Sequence, residues 1–375
     1  MKPLANPFVI GKYVDKDYFC DRQKESELLV HHIVNGRNVA IMSERRLGKT
    51  GLIEHVFANV LPKGYDTFLI DIYTCTNLRE MVYLLAREVF KKIARRQTLS
   101  EKLVRMVRSL KPTITYDAVT GLPELGITMG EIQQPEVTLD EILSYLEQSD
   151  NTCVVAIDEF QKVASFEEQN VEALLRTKIQ HLKRTQFVFA GSEHHLLEGI
   201  FNNPARPFYN SVVFMQLLPI EKAAYTAFCH RLFGQYDKTV SDALVSRLYD
   251  CFQGITWYLQ LSMNEAFAMT ERGAYMGDEA YPPVLSHLVD SKRFAFEDRY
   301  ASLTEKQKTV LMAIAAEFPK AATLTSQAFI DKYSLKTASS VQTAVKGLTD
   351  KGILSDFHGS KRPTDLLFVL WLKNY

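Results

Sequence analysis

The sequence predicts an α/β fold with a parallel sheet, followed by a run of helices and a small basic C-terminal domain. Three apolar runs, rich in β-branched and aromatic residues, have the length and composition of buried strands. These runs are 39–42, 153–157 and 186–191. A turn, a pair of carboxylates and a small polar residue follow them in that order, so each strand leads directly to residues that carry chemistry.

The first run leads into a turn and then a helix, with the pattern of a phosphate-binding P-loop. A Gly-Lys-Thr tripeptide in this place lets backbone N–H groups wrap the phosphates, while the lysine reaches the outer phosphates and the threonine hydroxyl ligates Mg²⁺. We take the lysine to be exposed, because it serves phosphate charge and not packing. We therefore predict that ATP and Mg²⁺ are bound by Arg45, Arg46, Leu47, Gly48, Lys49, Thr50 and Gly51.

Paired carboxylates follow the second run. Asp158, at the carboxyl end of the strand, is predicted to hold Mg²⁺ together with Thr50, and Glu159 to polarise the attacking water as a general base. The alternative is an acidic pair of the kind that is common on protein surfaces. Ser192, after the third run, is a small polar residue suited to sensing the γ-phosphate. A P-loop nucleoside triphosphatase with an additional strand requires these three features in this order.

Composition sets the broad class of the protein. Its 375 residues, 46% of them apolar, are enough for two or three packed domains. The 44 basic and 44 acidic residues cancel, so no global field draws the chain to nucleic acid or to a membrane. Five scattered cysteines without metal-ligand spacing predict buried thiols in a reducing compartment. With no signal peptide and no apolar run of about 20 residues, we expect a cytoplasmic protein.

Between these features, periodicity and turn residues predict further elements of the core. They are a helix at about 22–35, a strand at 67–73, a helix at 77–96 and a basic helix at about 99–110. A β-hairpin inserted at about 111–132, with its second strand at 126–129, accounts for the long gap between Lys49 and Asp158.

A loop rich in turn residues, 201–209, follows the third strand and carries Arg206. This arginine is predicted to complete the catalytic site within its own chain or in a neighbouring copy, and the alternative is a solvated loop arginine. Helices then fill about 221–300, with a helix start at 254–260. They fit a small helical lid over the nucleotide.

Residues 301–375 have a composition of their own and predict a winged helix. We expect helices at 303–317, 325–333 and 339–351, and then strands at 353–357 and 366–370 around a polar tip at 358–363. This segment holds ten Lys and Arg against six Asp and Glu, a local excess of four positive charges.

Four residues of this segment are predicted to contact double-stranded DNA. Ser340 and Lys346 lie on the third helix, which would enter the major groove, and Lys361 and Arg362 lie on the wing, near the phosphates. An excess of four charges is modest beside the roughly six to ten phosphate contacts of a strong binder. Winged helices also dock proteins, so DNA and a protein partner both remain open.

Together these features resemble the archaeal-type AAA+/STAND ATPases, which are related to origin-recognition initiators. The resemblance covers nearly the whole chain. It rests on the tandem arginines beside Gly48 and Lys49, on Asp158-Glu159-Phe160-Gln161 and Ala190-Gly191-Ser192, on the loop with Arg206, on Gly254 and Tyr258, and on the terminal winged helix.

The resemblance implies an additional-strand, AAA+-like P-loop NTPase core with a parallel sheet, a helical lid and a C-terminal winged helix. It also implies roles for single residues. Lys49 and Thr50 would bind phosphate and Mg²⁺, Asp158 and Glu159 would bind metal and water, and Ser192 would sense phosphate.

Two positions depart from the family pattern. Ser43 replaces the first glycine of the P-loop, which is expected to narrow the turn and slow turnover. Trp257 stands where relatives often have proline in the lid, which is expected to alter how the lid closes.

We expect a core at 1–218, a lid at 219–300 and a winged helix at 301–375. The expected function is a slowly hydrolysing ATP switch, whose nucleotide state controls a winged helix that binds DNA or protein. One alternative is a non-enzymatic nucleotide-binding scaffold that docks proteins through the winged helix. Another is a sequence-specific DNA-binding regulator whose ATPase gates the winged helix. Self-association is left open, and no membrane partner is expected.

Overall fold

The protein divides into two units, in a computed structural model that describes residues 3–95, 109, 113–116, 123–126, 128–320, 323–357 and 360–374. The sheet unit consists of Val9–Tyr225 and Ile255–Trp257, and the helical unit consists of Met1–Phe8, Thr226–Gly254 and Tyr258–Tyr375. Most of the expected lid and all of the expected winged helix therefore share one unit. The three domain boundaries drawn from the sequence stay a prediction.

Five parallel strands form the central sheet of the sheet unit. In chain order the strands of this unit are β1 (Val39–Met42), β2 (Tyr65–Asp71), β3 (Thr113–Tyr116), β4 (Pro123–Gly126), β5 (Thr152–Asp158), β6 (Thr185–Gly191) and β7 (Val213–Gln216). The order across the sheet is β2-β5-β6-β1-β7. Strand β6 lies between β1, which leads to the P-loop, and β5, which ends in the paired carboxylates. This is the additional strand, and it confirms the predicted fold class.

Helices cover both faces of this sheet. They are α1 (Gln23–Val34), α2 (Lys49–His55), α3 (Leu78–Arg95), α4 (Pro135–Glu147), α5 (Val171–Ile179) and α6 (His194–Asn202). Helices α1 and α2 pack on one face, where Val154 and Ala156 of β5 are buried. Helices α3 to α6 pack on the other face with Cys153, Val155 and Ile157. Successive strand residues point to opposite faces, so a strand covered on both sides is apolar at nearly every position.

Strands β3 and β4 pair as an antiparallel two-stranded sheet, in which Thr113 lies opposite Gly126. The expected second strand at 126–129 is wrong by three residues, because the strand begins at Pro123. Pro123 reads as a turn residue in the sequence, but proline is tolerated as the first residue of an edge strand. The predicted basic helix at about 99–110 lies almost entirely outside the described residues.

The helical unit contains the helices predicted as a lid. They are α7 (Lys222–Gly234), α8 (Asp242–Cys251), α9 (Thr256–Met269), α10 (Tyr281–Asp290) and α11 (Arg293–Ala301), with a short parallel pair, β8 (Thr239–Val240) and β9 (Tyr275–Met276). Helices α7 and α9 each begin in residues that belong to the sheet unit. The Phe8 ring packs against Phe228, Phe233 and Phe267, with centroids 5.6 to 6.1 Å apart. The N-terminal segment is therefore part of the core of the helical unit.

The C-terminal part of the helical unit is a winged helix. Its helices are α12 (Glu305–Glu317), α13 (Gln327–Lys332), α14 (Ala338–Asp350) and α15 (Leu366–Lys373), and its antiparallel wing is β10 (Leu354–Phe357) and β11 (Ser360–Pro363). Thr304, Ser326 and Thr337 cap the first three helices, each accepting a hydrogen bond from a backbone N–H of the first turn. The three predicted helices and the first predicted strand are confirmed.

The predicted strand at 366–370 is wrong, because these residues form most of α15. Asp365 begins the helix by accepting a hydrogen bond from the Leu367 N–H at 3.1 Å. A short apolar run between turn residues does not by itself distinguish a buried strand from a buried helix. The second strand of the wing is instead β11, in the segment expected to be a polar tip.

Two findings bear on the expectations drawn from composition. Four cysteines are buried, while Cys251 is half-buried. Burial raises the pKa of the Cys75 thiol to about 11 and that of the Cys153 thiol to about 12. In the described segments, no helix is long and apolar enough to cross a membrane.

Candidate nucleotide site

The carboxyl ends of β1, β5 and β6 meet at one edge of the sheet, because the three strands are parallel and adjacent in the order β5-β6-β1. The loop after β1 carries the P-loop sequence, and β5 ends at Asp158. Strand β6 ends at Gly191, directly before Ser192. The structure therefore brings the three predicted parts of the site to the same edge.

Two residues of the P-loop have a left-handed backbone. The φ angle is 70° at Arg46 and 91° at Gly48. A side chain on Gly48 would meet open space, so the backbone conformation, and not lack of room, favours glycine here. Left-handed residues in such a turn place successive backbone N–H groups around a concave anion-binding surface.

Lys49 is buried and turned back into its own loop. The residue is 6% exposed, and Nζ donates to Ser43 Oγ at 3.2 Å and to the Glu44 carbonyl at 3.4 Å. Burial lowers the pKa of Lys49, while the carboxylates of Asp158 and Glu159 oppose that shift. The expectation of an exposed lysine is wrong, because the Lys49 ammonium is held within the loop by hydrogen bonds to the Ser43 hydroxyl and to the Glu44 carbonyl.

Thr50 and Asp158 form the contact that joins the two halves of the site. The Thr50 hydroxyl donates to Asp158 Oδ2 at 2.5 Å, across 108 residues of sequence. Asp158 is 5% exposed, and burial raises the pKa of its carboxyl group. A hydroxyl and a carboxylate side by side are hard oxygen ligands, which suit Mg²⁺. These two residues therefore fit the predicted metal role.

Glu159 adopts a left-handed conformation, with φ of 56°, directly after the end of β5. Its N–H donates to Asp158 Oδ1 at 3.0 Å, which fixes the turn. Its Oε2 accepts hydrogen bonds from Gln161 Nε2 at 2.5 Å and from Ser192 Oγ at 2.8 Å. The structure thus brings two predicted site residues, Glu159 and Ser192, into contact. Gln161, to which the sequence analysis assigned no role, contacts Glu159 as well.

The two P-loop arginines contact aromatic rings. The Arg46 guanidinium lies 4.7 Å from the centroid of the Trp257 ring, and the Arg45 guanidinium lies 5.9 Å from that of Tyr73. Lys162 lies 5.1 Å from the same Tyr73 ring. Both arginines lie on the predicted loop, while their aromatic partners are distant in sequence and were not foreseen as contacts.

A buried arginine, Arg22, supports the P-loop through hydrogen bonds to backbone carbonyls. Arg22 is 3% exposed, and its guanidinium donates to the carbonyls of Leu47 at 3.2 Å and Leu218 at 2.6 Å. It also pairs with Glu25 at 2.7 Å. The Thr256 hydroxyl donates to the same Leu47 carbonyl at 3.3 Å. Sequence reasoning missed Arg22, although Arg22 and Glu25 stand three residues apart at the start of α1, a spacing that allows such a pair.

Arg206 is engaged by a carboxylate of α5. Its guanidinium forms a two-pronged ion pair with Glu172 of α5, in which Nε donates to Oε2 at 2.9 Å. Among the described residues it makes no hydrogen bond to Lys49, Asp158 or Glu159. Its predicted catalytic role stays a prediction.

The residues predicted to contact DNA lie on α14 and the wing. Lys346 is exposed, and Ser340 is half-buried near the start of α14, where its N–H donates to the Thr337 cap at 3.2 Å. Lys361 pairs with Asp356 across the wing at 2.7 Å, and Arg362 beside it is half-buried. Part of the wing's positive charge is therefore neutralised within the domain.

Comparison with known proteins agrees with this architecture. Residues 294–374 match a family model described as a probable winged helix domain. No curated protein matches the chain.

Solved structures are similar in fold over nearly the whole chain. They include the Walker-type ATPase PABY2304 of Pyrococcus abyssi, with 17% identity and a TM-score of 0.66, covering 98% of this chain and 99% of that one. The ORC2 protein of Aeropyrum pernix, solved as ADPNP-ADP complexes, has 13% identity and a TM-score of 0.56, covering 98% and 96%. The ORC1 protein of Aeropyrum pernix, in complex with DNA, has 13% identity and a TM-score of 0.50, covering 95% and 92%. The chain thus has the fold of a P-loop ATPase of the AAA+ type with a C-terminal winged helix.

Proposed function

We propose that this protein binds Mg·ATP at the P-loop and hydrolyses it slowly, as a nucleotide-controlled switch of the AAA+/STAND type. One observation carries the proposal. The Thr50 hydroxyl, next to the P-loop lysine in the first turn of α2, meets the Asp158 carboxylate at the end of β5 at 2.5 Å, although β6 separates β5 from the strand that leads to the P-loop. In a surface acidic pair, neither carboxylate would be buried against the first turn of α2 as Asp158 is.

The residues of the site divide the chemistry between them. Lys49 and the loop N–H groups would hold the phosphates, and Thr50 and Asp158 would hold Mg²⁺, which when bound supplies charge neutralisation on the β- and γ-phosphates. Glu159 would accept a proton from water as the water oxygen bonds to the γ-phosphorus. The bond from that phosphorus to the bridging oxygen breaks, and ADP and phosphate leave.

Two contacts support slow turnover. Lys49 Nζ is already bound to Ser43 and to the Glu44 carbonyl, so phosphate must replace these partners. Arg206 is paired with Glu172, so a role at the γ-phosphate requires it to leave that carboxylate. Each exchange adds a conformational step before chemistry.

The winged helix is the proposed output of the switch. Double-stranded DNA is the partner to test first, because residues 301–375 carry an excess of four positive charges and Lys346 is exposed. The similar ORC1 protein was solved in complex with DNA. A protein partner is the other outcome. The proposed place of action is the cytoplasm, and self-association is left to measurement.

The test compares Lys49→Met with wild type in equilibrium binding of ATP, with and without Mg²⁺. Methionine keeps the length of the buried side chain and removes its charge, so affinity should fall at least about 100-fold with the fold intact. Lys92→Met is the matched control, because Lys92 is a half-buried lysine on α3 that pairs with Asp66 at 3.4 Å. Wild-type affinity in the Lys49→Met protein would overturn the P-loop assignment.

Hydrolysis is measured separately, as ADP formed in a single turnover with protein in excess over ATP. Slow ADP formation supports the switch. Tight ATP binding with no ADP above the level of the Lys49→Met protein would favour the nucleotide-binding scaffold over the enzyme.

A further inference from the structure

A buried glutamine beside the paired carboxylates has no part in the chemistry above. Gln161 is 3% exposed and lies in the 3₁₀ turn Phe160–Ser165 that follows Glu159. Its Nε2 donates to Glu159 Oε2 at 2.5 Å. Its Oε1 is buried and has no hydrogen-bond partner within the described part of the chain. An unpaired buried carbonyl costs free energy, so stability alone does not explain a glutamine here.

Gly191 makes room for the Gln161 side chain. A Cβ on Gly191 would overlap Gln161 Oε1 and would approach a methyl of Leu197 at 3.3 Å. The Gly191 backbone is not left-handed, so the need for glycine is one of space. The preceding Phe160 is buried against Phe189, with ring centroids 4.4 Å apart, and anchors the turn. The amide is thus held between the turn and the end of β6, and its N–H points at Glu159.

Two donors converge on one oxygen of Glu159. Gln161 and the Ser192 hydroxyl both donate to Oε2, while Oε1 of Glu159 accepts no hydrogen bond from the described residues. A carboxylate held by one oxygen keeps a fixed orientation and leaves the other oxygen able to accept a proton. This is the arrangement that a general base requires when the water must lie in line with the γ-phosphate.

We propose that Gln161 is a positioning residue for hydrolysis, which fixes the Glu159 carboxylate so that its second oxygen faces the attacking water. The inference rests on the proposed function, because it acts only through Glu159 as the base. Gln161 does not touch the nucleotide in this proposal. Removing its N–H should therefore lower the rate of the chemical step and leave ATP binding in place.

The first variant is Gln161→Met, which keeps the length of the buried side chain and removes the donor. We expect kcat to fall about tenfold while KM and the affinity for Mg·ATP change less than about twofold. Gln186→Met is the matched control. Gln186 is also a buried glutamine with an unpartnered Oε1, but its Nε2 donates to the Lys183 carbonyl at 3.3 Å, at the other end of β6. It should turn over like wild type.

Gly191→Ala is the second variant, because it displaces the Gln161 amide without removing it. It should lower kcat as Gln161→Met does, so the proposal stays testable if either variant fails to fold. A rise in kcat in either folded variant would mean that Gln161 restrains Glu159, which overturns the proposal.

A double-mutant cycle separates positioning from a structural role. In a Glu159→Gln background, Gln161→Met should cause less than about a twofold further loss, because no base is left to orient. If the rate losses of the two single variants multiply in the double variant, the inference is overturned, while the proposed function is not affected. Absence of hydrolysis in the wild-type protein is a different result, because it removes the proposed enzyme and the inference together.

Discussion

The guanidinium of Arg46 stacks on the indole of Trp257, and the backbone N–H of Trp257 donates to the Arg46 carbonyl at 3.1 Å. The pair is thus joined through both side chain and main chain. Arg46 belongs to the P-loop, and Trp257 belongs to the first turn of α9. A cation–π contact contributes about 0.5–2 kcal/mol, which is enough to bias the conformation of a short loop. Trp257 therefore has a specific partner in the P-loop.

Mg·ATP should change the fluorescence of Trp257, because phosphates attract the Arg46 guanidinium away from the indole. Emission is recorded during titration with Mg·ATP in wild type and in Trp257→Phe. The change should be lost in Trp257→Phe and reduced in Arg46→Ala. The sequence contains one other tryptophan, Trp371, so an equal change in Trp257→Phe would assign the signal there and contradict this prediction.

Glu159→Gln should bind Mg·ATP like wild type and hydrolyse it at least tenfold more slowly, because loss of a general base typically costs a factor of roughly 10²–10⁴. Glutamine keeps the shape and can still accept from Ser192, but it takes no proton from water. Single-turnover ADP formation measures the effect. Glu193→Gln removes one exposed acid beside Ser192 and serves as the control for charge. Unchanged turnover in Glu159→Gln would place the base elsewhere.

Asp158→Asn should stabilise the nucleotide-free protein while weakening Mg·ATP binding. Burial raises the pKa of Asp158 in the folded state above the value of about 3.9 in an unfolded chain. The stability that the protonated Asp158 side chain gives to the folded protein is therefore fully present at pH values below the unfolded pKa. It is lost as the pH rises through the folded pKa. Asparagine carries no charge, so it lacks this loss of stability. Its oxygen can accept from the Glu159 N–H, and its NH₂ group can donate to the Thr50 hydroxyl oxygen.

Thermal unfolding of wild type and of Asp158→Asn without nucleotide, at pH 4 and at pH 7.5, measures this difference in stability. Asp158→Asn should be more stable than wild type at pH 7.5, and the difference should shrink toward pH 4. A wild type that is the more stable protein at pH 7.5 would show that the carboxylate is compensated within the fold.

Lys361→Ala/Arg362→Ala should weaken binding of duplex DNA of any sequence, if the wing contacts phosphates. The slope of log affinity against log salt should flatten by nearly one unit for each lost contact. Fluorescence anisotropy with mixed duplexes at several salt concentrations measures the affinity and its salt dependence. The titrations are made in the presence of ADP and of a non-hydrolysable ATP analogue. Lys306→Ala, on α12, is the matched control for charge. No binding at low salt in either nucleotide state would leave protein docking as the use of the winged helix.

The arrangement of the site was largely predictable because it depends on local patterns. Each buried strand is a short β-branched or aromatic run, and each functional residue stands immediately after one. Asp158 and Ser192 could therefore be placed by counting from a strand end. Strand order then follows from the fold class, and the structure has β6 where the additional strand belongs.

Other features depend on contacts between distant residues, which periodicity does not report. The buried Lys49 donates to the Ser43 hydroxyl, and the buried Arg22 donates to the Leu47 carbonyl. The prediction of a strand at 366–370 is wrong for a different reason. Leu366, Leu367, Phe368 and Val369 are consecutive buried residues, as in a buried strand, and only the Asp365 cap indicates a helix.

Strand β1 also determines how late this protein can complete its fold during synthesis. Val39 pairs with Val188 on one side and with Val213 on the other, so both neighbours of β1 leave the ribosome long after it does. Until then an apolar strand has two unpaired edges, which is a template for aggregation. Such pairing between distant segments slows folding. A nascent chain that ends before residue 213 has every P-loop residue and one open edge of β1, so we expect a chaperone requirement that ends only after β7 has emerged.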